Sequence, residues 1–361
     1  MRTFCVFACF VLISARAQNH TVLFNSTDPG VTKSIGTWGI DTTWASTDNM
    51  RDGMVFMGSN QVDVIRVGFV VKDALDVNGQ LSTSAKSDLD AEKNVANMAG
   101  NKPWMFSPTT EAGVNAWFKN GSQVIPARWV QAMDAAKLYL GKSILWAEPF
   151  NEPDYSGWNE GTSGNLYDIM GLLQTDTNFS STLLAGGSTL NVDNANGWYD
   201  AVKNRASIGT THCLAGSFDS YVNWIQDVRN SGDFCLNPEV HNLVEVIAGA
   251  EYGLQGGIWW GDCNLPRGYF VQACQGQRLG YAEDRGQWTA AAVYRAPDGA
   301  MRGFVGSSER QGTTTSYQFL CQDRDVWFNG VGPQRNCTVT IPQNGEAYVD
   351  ITWGADIPSP V

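Results

Sequence analysis

From about residue 35 to residue 262, short apolar runs alternate with stretches whose apolar positions recur every three to four residues. The runs are 36–41, 62–69, 102–106, 144–148, 182–187, a weaker one near 212–221, 234–240 and 257–260. The helical stretches between them include 127–140, 166–174, 198–205, 221–230 and 243–252. Alternating strands and helices imply a parallel sheet, because a parallel connection needs a crossover and a helix supplies it. Eight such units in roughly 230 residues fit an α/β fold, the (β/α)8 TIM barrel. A doubly wound open sheet is the alternative. No Gly-x-Gly-x-x-Gly follows the first run, which argues against its dinucleotide-binding form.

Beyond about residue 265 the period changes to two. Alternating segments at 287–294, 301–305, 313–321, 325–328, 337–341 and 347–353, with Pro297-Asp298-Gly299 as a turn, read as a C-terminal antiparallel β-sandwich domain. The apolar run 21–24 is placed to add a strand to it. The expected organisation is a signal peptide at 1–17, an N-terminal segment at 18–34 joining the β-domain, the barrel at 35–265, the β-sandwich at 266–355 and the start of a linker at 356–361.

The opening residues carry the marks of secretion. Arg2 precedes an apolar stretch at 4–13, and Ser14-Ala15-Arg16-Ala17 supplies small residues for cleavage. That stretch is too short to span a bilayer, so no membrane association is expected. Sequons at Asn19, Asn25, Asn120, Asn178 and Asn336 agree with an extracellular glycoprotein. Six cysteines follow the signal, and pairing between neighbours (213–235, 263–274, 321–337) is the simplest expectation. A net charge of −12 argues against a nucleic-acid partner. No Cys-x-x-Cys or His-x-x-x-His spacing suggests a metal, no cofactor motif is present, and a monomer is expected.

Chemistry concentrates in Glu148-Pro149-Phe150-Asn151-Glu152-Pro153, which closes the fourth run. Pro153 pushes Glu152 out of the α region, so the carboxylate is aimed, with an amide beside it to bind a hydroxyl. Barrel sites lie at the C-terminal ends of strands. The polar residues ending the other runs are Asp41, Arg66, Thr109 to Glu111, His212 with Tyr221, Glu239 with His241, and Trp259, Trp260 and Asp262. Two carboxylates facing each other across a barrel mouth suit glycosidic cleavage. Glu245 and Glu251 read as helical and so face away from the mouth. Glu148 lies one layer deeper than Glu152 and, as a buried carboxylate, needs a partner, for which Arg66 is the candidate. Two of the chain's three histidines, His212 and His241, fall at strand ends. His241 stands two residues after Glu239, on the same strand face, and is placed to tune its charge.

With these residues the chain resembles the clan A retaining glycoside hydrolases, which are (β/α)8 barrels, several with an appended β-domain. The resemblance implies Glu152 as acid/base, helped by Asn151, and Glu239 as nucleophile. It implies Arg66 at the second strand, His212 or Tyr221 orienting the nucleophile, and Trp259 or Trp260 flooring a sugar subsite. Strand parity does not decide between the two tryptophans. Glu152 is expected to be kept protonated by burial and by the ionised Glu239 nearby. Aromatic residues Trp38, Trp44, Trp104, Tyr155 and Trp158 suggest several subsites, hence an endo-acting enzyme on a neutral polysaccharide. β-1,3-Glucan ranks first and a galactan such as agarose next. A secreted carbohydrate-binding protein without catalysis is the alternative, and a cell-wall structural glycoprotein a third reading that leaves the strand-end carboxylates unexplained.

Overall fold

The computed structural model describes residues 19–43, 45–110, 117–121 and 123–354. The expected signal peptide, Trp44, Glu111 and the expected linker therefore lie outside the described residues. Within them, β1 (Asn19–Phe24) is followed by β2 (Thr37–Asp41), β3 (Val64–Val70) and β4 (Trp104–Thr109). After a short hairpin, β5 (Lys119–Asn120) and β6 (Gln123–Val124), come β7 (Ile144–Ala147), β8 (Leu183–Asn191), β9 (Ile208–Ala215), β10 (Phe234–Val240) and β11 (Gly256–Trp259). β2, β3, β4 and β7 to β11 are parallel neighbours in that order, and β11 pairs back onto β2 through Trp259 and Ile40, so the barrel closes. Helices α1 (Thr47–Met57), α2 (Thr83–Ala96), α3 (Pro126–Leu140), α4 (Ser163–Thr175), α5 (Ala195–Val202), α6 (Phe218–Ser231), α7 (Leu243–Tyr252) and α8 (Leu265–Ala273) surround it.

Side-chain alternation fills the barrel in layers. Val64, Met105, Trp146, Ala185, Ile208, Leu236 and Ile258 form an apolar plug inside. Residues of opposite parity, such as Ile65, Trp104 and Trp259, pack outward against the helices. Trp38 joins them and stacks on Trp259 at 5.8 Å. At Gly39 the strands approach so closely that a Cβ would meet the Val64 carbonyl at 2.6 Å. Trp38 and Trp104 are thus core residues, not the mouth aromatics expected.

The apolar pattern misplaces one strand. The sixth barrel strand is Ile208–Ala215, not the segment near 212–221, and α6 begins at Phe218. Ser217 caps that helix by accepting the Ser220 N–H at 3.1 Å, a local signal that outweighs the apolar character of residues 218–221. The barrel also runs past residue 265, because α8 is its eighth helix.

The β-domain begins at β12 (Gln277–Asp284) and continues with β13 (Thr289–Arg295), β14 (Met301–Ser307), β15 (Thr315–Cys321), β16 (Val326–Phe328), β17 (Val331–Gln334), β18 (Asn336–Ile341) and β19 (Glu346–Thr352). A six-stranded sheet, β12-β13-β14-β19-β16-β17, faces a three-stranded one, β1-β15-β18. Val22, Phe24, Val293, Val305, Phe319 and Val349 lie in the core between them. β1 joins the domain as expected, but parallel to β15, so the sandwich is not wholly antiparallel. β12 and β17 escape the sequence pattern because their side chains are mostly half-buried or exposed, with no clean apolar face.

The expected disulfides are not formed, and all six cysteines are free. A disulfide needs Cα atoms within about 7 Å. Cys235 is registered with Gly209, which leaves Cys213 roughly 13 Å further along the strand. Cys337 is registered with Phe319, so Cys321 is only its diagonal neighbour at roughly 7–8 Å. Cys263 and Cys274 stand at opposite ends of α8, roughly 14 Å of helix apart. Among the described residues, no helix is long and apolar enough to cross a membrane.

The two domains are joined by hydrogen bonds as well as packing. Arg267 on α8 donates from Nε to Glu346 Oε1 at 2.8 Å, and Glu346 also accepts the Leu243 N–H at the start of α7. Both side chains are about nine-tenths buried. A buried pair that loses one partner leaves an uncompensated charge. Arg267→Met is therefore expected to cost about 3–5 kcal/mol of unfolding free energy in a urea titration. Arg267→Met with Glu346→Gln is expected to recover part of that loss, and equal losses in the two variants would contradict the pairing.

Candidate active site

Continuing the inward parity of the apolar plug by one step places Asp41, Arg66, Ser107 and Glu148 in the next layer, and His212 above Thr210. Glu239 does not follow this rule, since alternation from Leu236 points it toward the helices. Between Asn237 and Val240, β10 holds an extra residue relative to β11, and this bulge turns Glu239 into the mouth. Asn237 stabilises the bulge by accepting the Glu239 N–H at 3.0 Å and donating to Glu245 at 3.3 Å.

Arg66 is the hub of the layer. Its Nη1 donates to Asp41 and to Glu239 Oε1, the latter at 2.6 Å. Its Nη2 donates to Ser107 Oγ at 2.9 Å, Glu148 Oε1 at 3.0 Å and Asn151 Oδ1 at 2.5 Å. The Arg66–Glu148 pair expected from the sequence is present, and Glu148 is fully buried.

Glu152 reaches the same space from the loop after β7. Pro153 does exclude the right-handed helical region, but Glu152 adopts φ 53°, in the left-handed region. A non-glycine residue there carries strain that its surroundings must offset. Its N–H donates to the Ser188 carbonyl at 3.0 Å, and its Oε2 accepts the Trp158 Nε1–H at 3.1 Å. Trp158 in turn packs edge-on to the partly exposed Tyr155. His212 Nδ1 lies 3.2 Å from Glu152 Oε1 and 3.2 Å from Glu239 Oε2. Glu152, His212 and Glu239 each place one donor or acceptor atom within 4.8 Å of the others.

The cluster divides its groups into anions and cations. Burial opposes ionisation of Glu239, but the charges of His212 and Arg66 outweigh it and hold its carboxyl well below the usual carboxylate range. Burial likewise opposes the charge on Glu148, and Arg66 with His212 holds its carboxyl down. Burial would lower His212, yet Glu239, Glu148 and Glu152 raise it to about 10. His241 is raised to about 9 against its burial, by Glu239 and Glu309. A metal ion at the Glu152–His212–Glu239 group would compete with Arg66 and His241, which already pair with Glu239.

The remaining sequence-predicted residues separate cleanly. Trp260 continues the inward parity of Ile258 and stacks on His241 at 4.7 Å, at the mouth. Trp259 is fully buried among the helices and takes no part. Tyr221, carried onto α6 by the earlier strand ending, is buried and donates to the Glu245 carbonyl at 3.1 Å, behind β10. It is not brought to the site, whereas His212 lies against Glu239. A cleft of about 350 Å³ runs from Arg66, Asn151 and Glu239 across Phe69 to Glu92 on α2. Burial raises the Glu92 carboxyl to about 7.

Sequence reasoning misses Glu160 and Glu309. Glu160 is fully buried and accepts the Asn151 N–H at 2.7 Å and the Thr109 hydroxyl at 2.7 Å. It ties the end of β4 to the loop bearing Asn151 and Glu152, and no motif marks it. Glu309 comes from the β-domain, and only the folded chain brings it near.

No protein-family model matches the chain, and no curated protein matches its sequence. Among solved structures it is similar to a GH30 endoxylanase from Clostridium papyrosolvens C71, with TM-score 0.55 and 14% identity, covering 92% of this chain and 99% of that one. It is also similar to Xyn30A, a glycoside hydrolase family 30 subfamily 8 xylanase from Clostridium acetobutylicum, with TM-score 0.53, 13% identity and coverage of 92% and 100%. N2152 from Neocallimastix frontalis aligns with TM-score 0.55, 12% identity and coverage of 93% and 100%. The likeness is one of fold, barrel and appended β-domain together.

The raised histidines fix the sign of a pH dependence. A group whose pKa is higher in the folded state stabilises the fold fully below its unfolded value. His241 and His212 therefore contribute up to about pH 6.5 and lose that contribution as pH rises through about 9 and about 10. Glu245, raised by burial to about 7, adds a loss with the same sign between about 4.5 and 7. The melting temperature is expected to fall from pH 6 to pH 10 in scanning fluorimetry. A flat profile would contradict the assignment of both rings as cations.

Proposed function

We propose that this chain is a retaining, endo-acting glycoside hydrolase, with Glu239 as nucleophile and Glu152 as acid/base. The observation that carries the reading is the pair of carboxylates facing each other at the C-terminal mouth of the barrel, one oxygen of each lying 3.2 Å from the same His212 Nδ1. Retaining enzymes hold their carboxyl groups at about 5–5.5 Å, whereas inverting ones need about 6.5–9.5 Å to admit a water. The xylanase function of two structures sharing the fold supports the same class.

In this mechanism Glu239, kept ionised by Arg66 and His212, attacks the anomeric carbon. Glu152 gives its proton to the leaving oxygen, then takes one from the water that releases the sugar. Asn151 spends its carbonyl on Arg66, which leaves the amide N–H groups to donate to a sugar hydroxyl. Trp260, half-buried beside His241, is the proposed stacking surface. The cleft over Phe69 and α2 provides a further subsite. The substrate is a neutral β-linked polysaccharide, with β-1,3-glucan and agarose-type galactan as first choices and xylan added by the structural neighbours. The N-terminal signal pattern supports a secreted enzyme.

The test is a reducing-sugar assay over β-glucans, xylans, mannans and algal galactans. At least one polymer is expected to release ends, and Glu152→Gln to lower that rate by about 10²–10⁴-fold. Glu239→Gly is expected to be inactive on the polymer and rescued by azide on an activated aryl glycoside. No release from any polymer would favour the non-catalytic carbohydrate-binding alternative.

A further inference from the structure

His241 is held between carboxylates from both domains. Its Nε2 lies 3.6 Å from Glu239 Oε2, and its Nδ1 lies 3.2 Å from Oε2 of Glu309, in the loop after β14. The ring stacks on Trp260, and the His241 N–H donates to Glu245 Oε2 at 3.0 Å. The Glu309 carboxylate is within hydrogen-bond distance of Nδ1, while Nε2 makes no hydrogen bond among the described residues and faces the Glu239 carboxylate at ion-pair distance, so both nitrogens meet negative charge that favours the doubly protonated ring. We infer that Glu309, from the β-domain, is a positioning residue of the active site: it fixes the His241 ring, and the proton on it, against Glu239.

The charges around the ring allow Glu309 a decisive share. Facing His241 are Glu239 on its own strand, Glu245 on α7, Arg267 on α8 and Glu309 with its neighbour Arg310. Arg267 is committed to Glu346, and donates to the His241 carbonyl rather than to its ring. Glu245 bonds the backbone of His241 and the side chain of Asn237. Glu309 is therefore the carboxylate besides Glu239 that addresses a ring nitrogen, and it lies outside the barrel. The barrel supplies both catalytic carboxylates, while the appended domain sets the charge on the group beside the nucleophile. This gives the β-domain a role beyond covering α7 and α8. The inference rests on Glu239 as the nucleophile.

The experiment uses the full chain and its three histidines, whose ring signals are separable by NMR, with His241→Gln assigning the resonance. The His241 ring is expected to titrate near 9 in the parent chain. In Glu309→Gln it is expected about one unit lower, and Glu309→Asp is expected to restore it. On whichever glycan is cleaved, kcat/KM of Glu309→Gln relative to the parent chain is then expected to be about threefold lower at pH 8.5 than at pH 6. An unmoved His241 titration overturns the inference, as does a rate loss equal at both pH values. A purely structural role would lower the melting temperature at pH 6 and leave the titration where it was. Absence of any glycan cleavage would refute the hydrolase reading, while the NMR titration would still decide whether Glu309 controls His241.

Discussion

Arg66 sits at the centre of the barrel, fully buried, and donates to three carboxylates that come from the first, fourth and seventh strands. A charge so placed is tolerated only when it is paired and hydrogen-bonded, and both terminal nitrogens of Arg66 are, while its Nε has no partner among the described residues. That requirement runs in both directions. The guanidinium needs Asp41, Glu148, Ser107 and Asn151 where they are, and Glu239 needs the guanidinium to remain an anion in a buried site. Removing Arg66 would strand three buried acids, so the mouth has one well-compensated arrangement and few near alternatives. This is the physical meaning of preorganisation here: the charge on Glu239 is stabilised by fixed dipoles and cations before any substrate arrives.

Much of this is legible in the chain. The Asn151-Glu152-Pro153 motif at a strand end points to an aimed carboxylate, and counting apolar runs puts Glu239 on the seventh strand. Strand parity also separates Glu148 from Glu152, and the need to pair a buried acid leads to Arg66. Counting cannot reveal why Glu239 faces inward. Simple alternation sends it outward, and only the bulge held by Asn237 turns it round. Tyr221 is misassigned because the apolar run near it belongs to a helix, whose start is fixed by Ser217. The disulfide expectation rests on spacing along the chain, which says nothing of register, and register places the cysteines out of reach. Glu309 is invisible for a related reason. It meets His241 from 68 residues away along the chain, across a domain boundary.

The strained backbone and the ion cluster act on different members of the carboxylate pair. Glu239 is held by charge, through Arg66, His212 and His241. Glu152 is held by geometry, through its left-handed φ, the Ser188 carbonyl and the Trp158 indole. His212 is the group that touches both. The two carboxylates thus face the same imidazole but are held by different means. The cleft over α2 and the loops around Trp158 and Trp260 lie outside the buried ion cluster and are not constrained by it.

The central claim, that Glu239 forms a covalent bond to the sugar, is most directly tested by trapping that bond. An activated 2-deoxy-2-fluoro glycoside of the preferred sugar is incubated with the enzyme, which is then digested with a protease and sequenced by mass spectrometry. The account predicts a single added fluoroglycosyl group on the peptide containing Asn237-Pro238-Glu239, localised to Glu239. A label on Glu152, Glu148 or any other carboxylate, or turnover with inversion at the anomeric carbon, would contradict it.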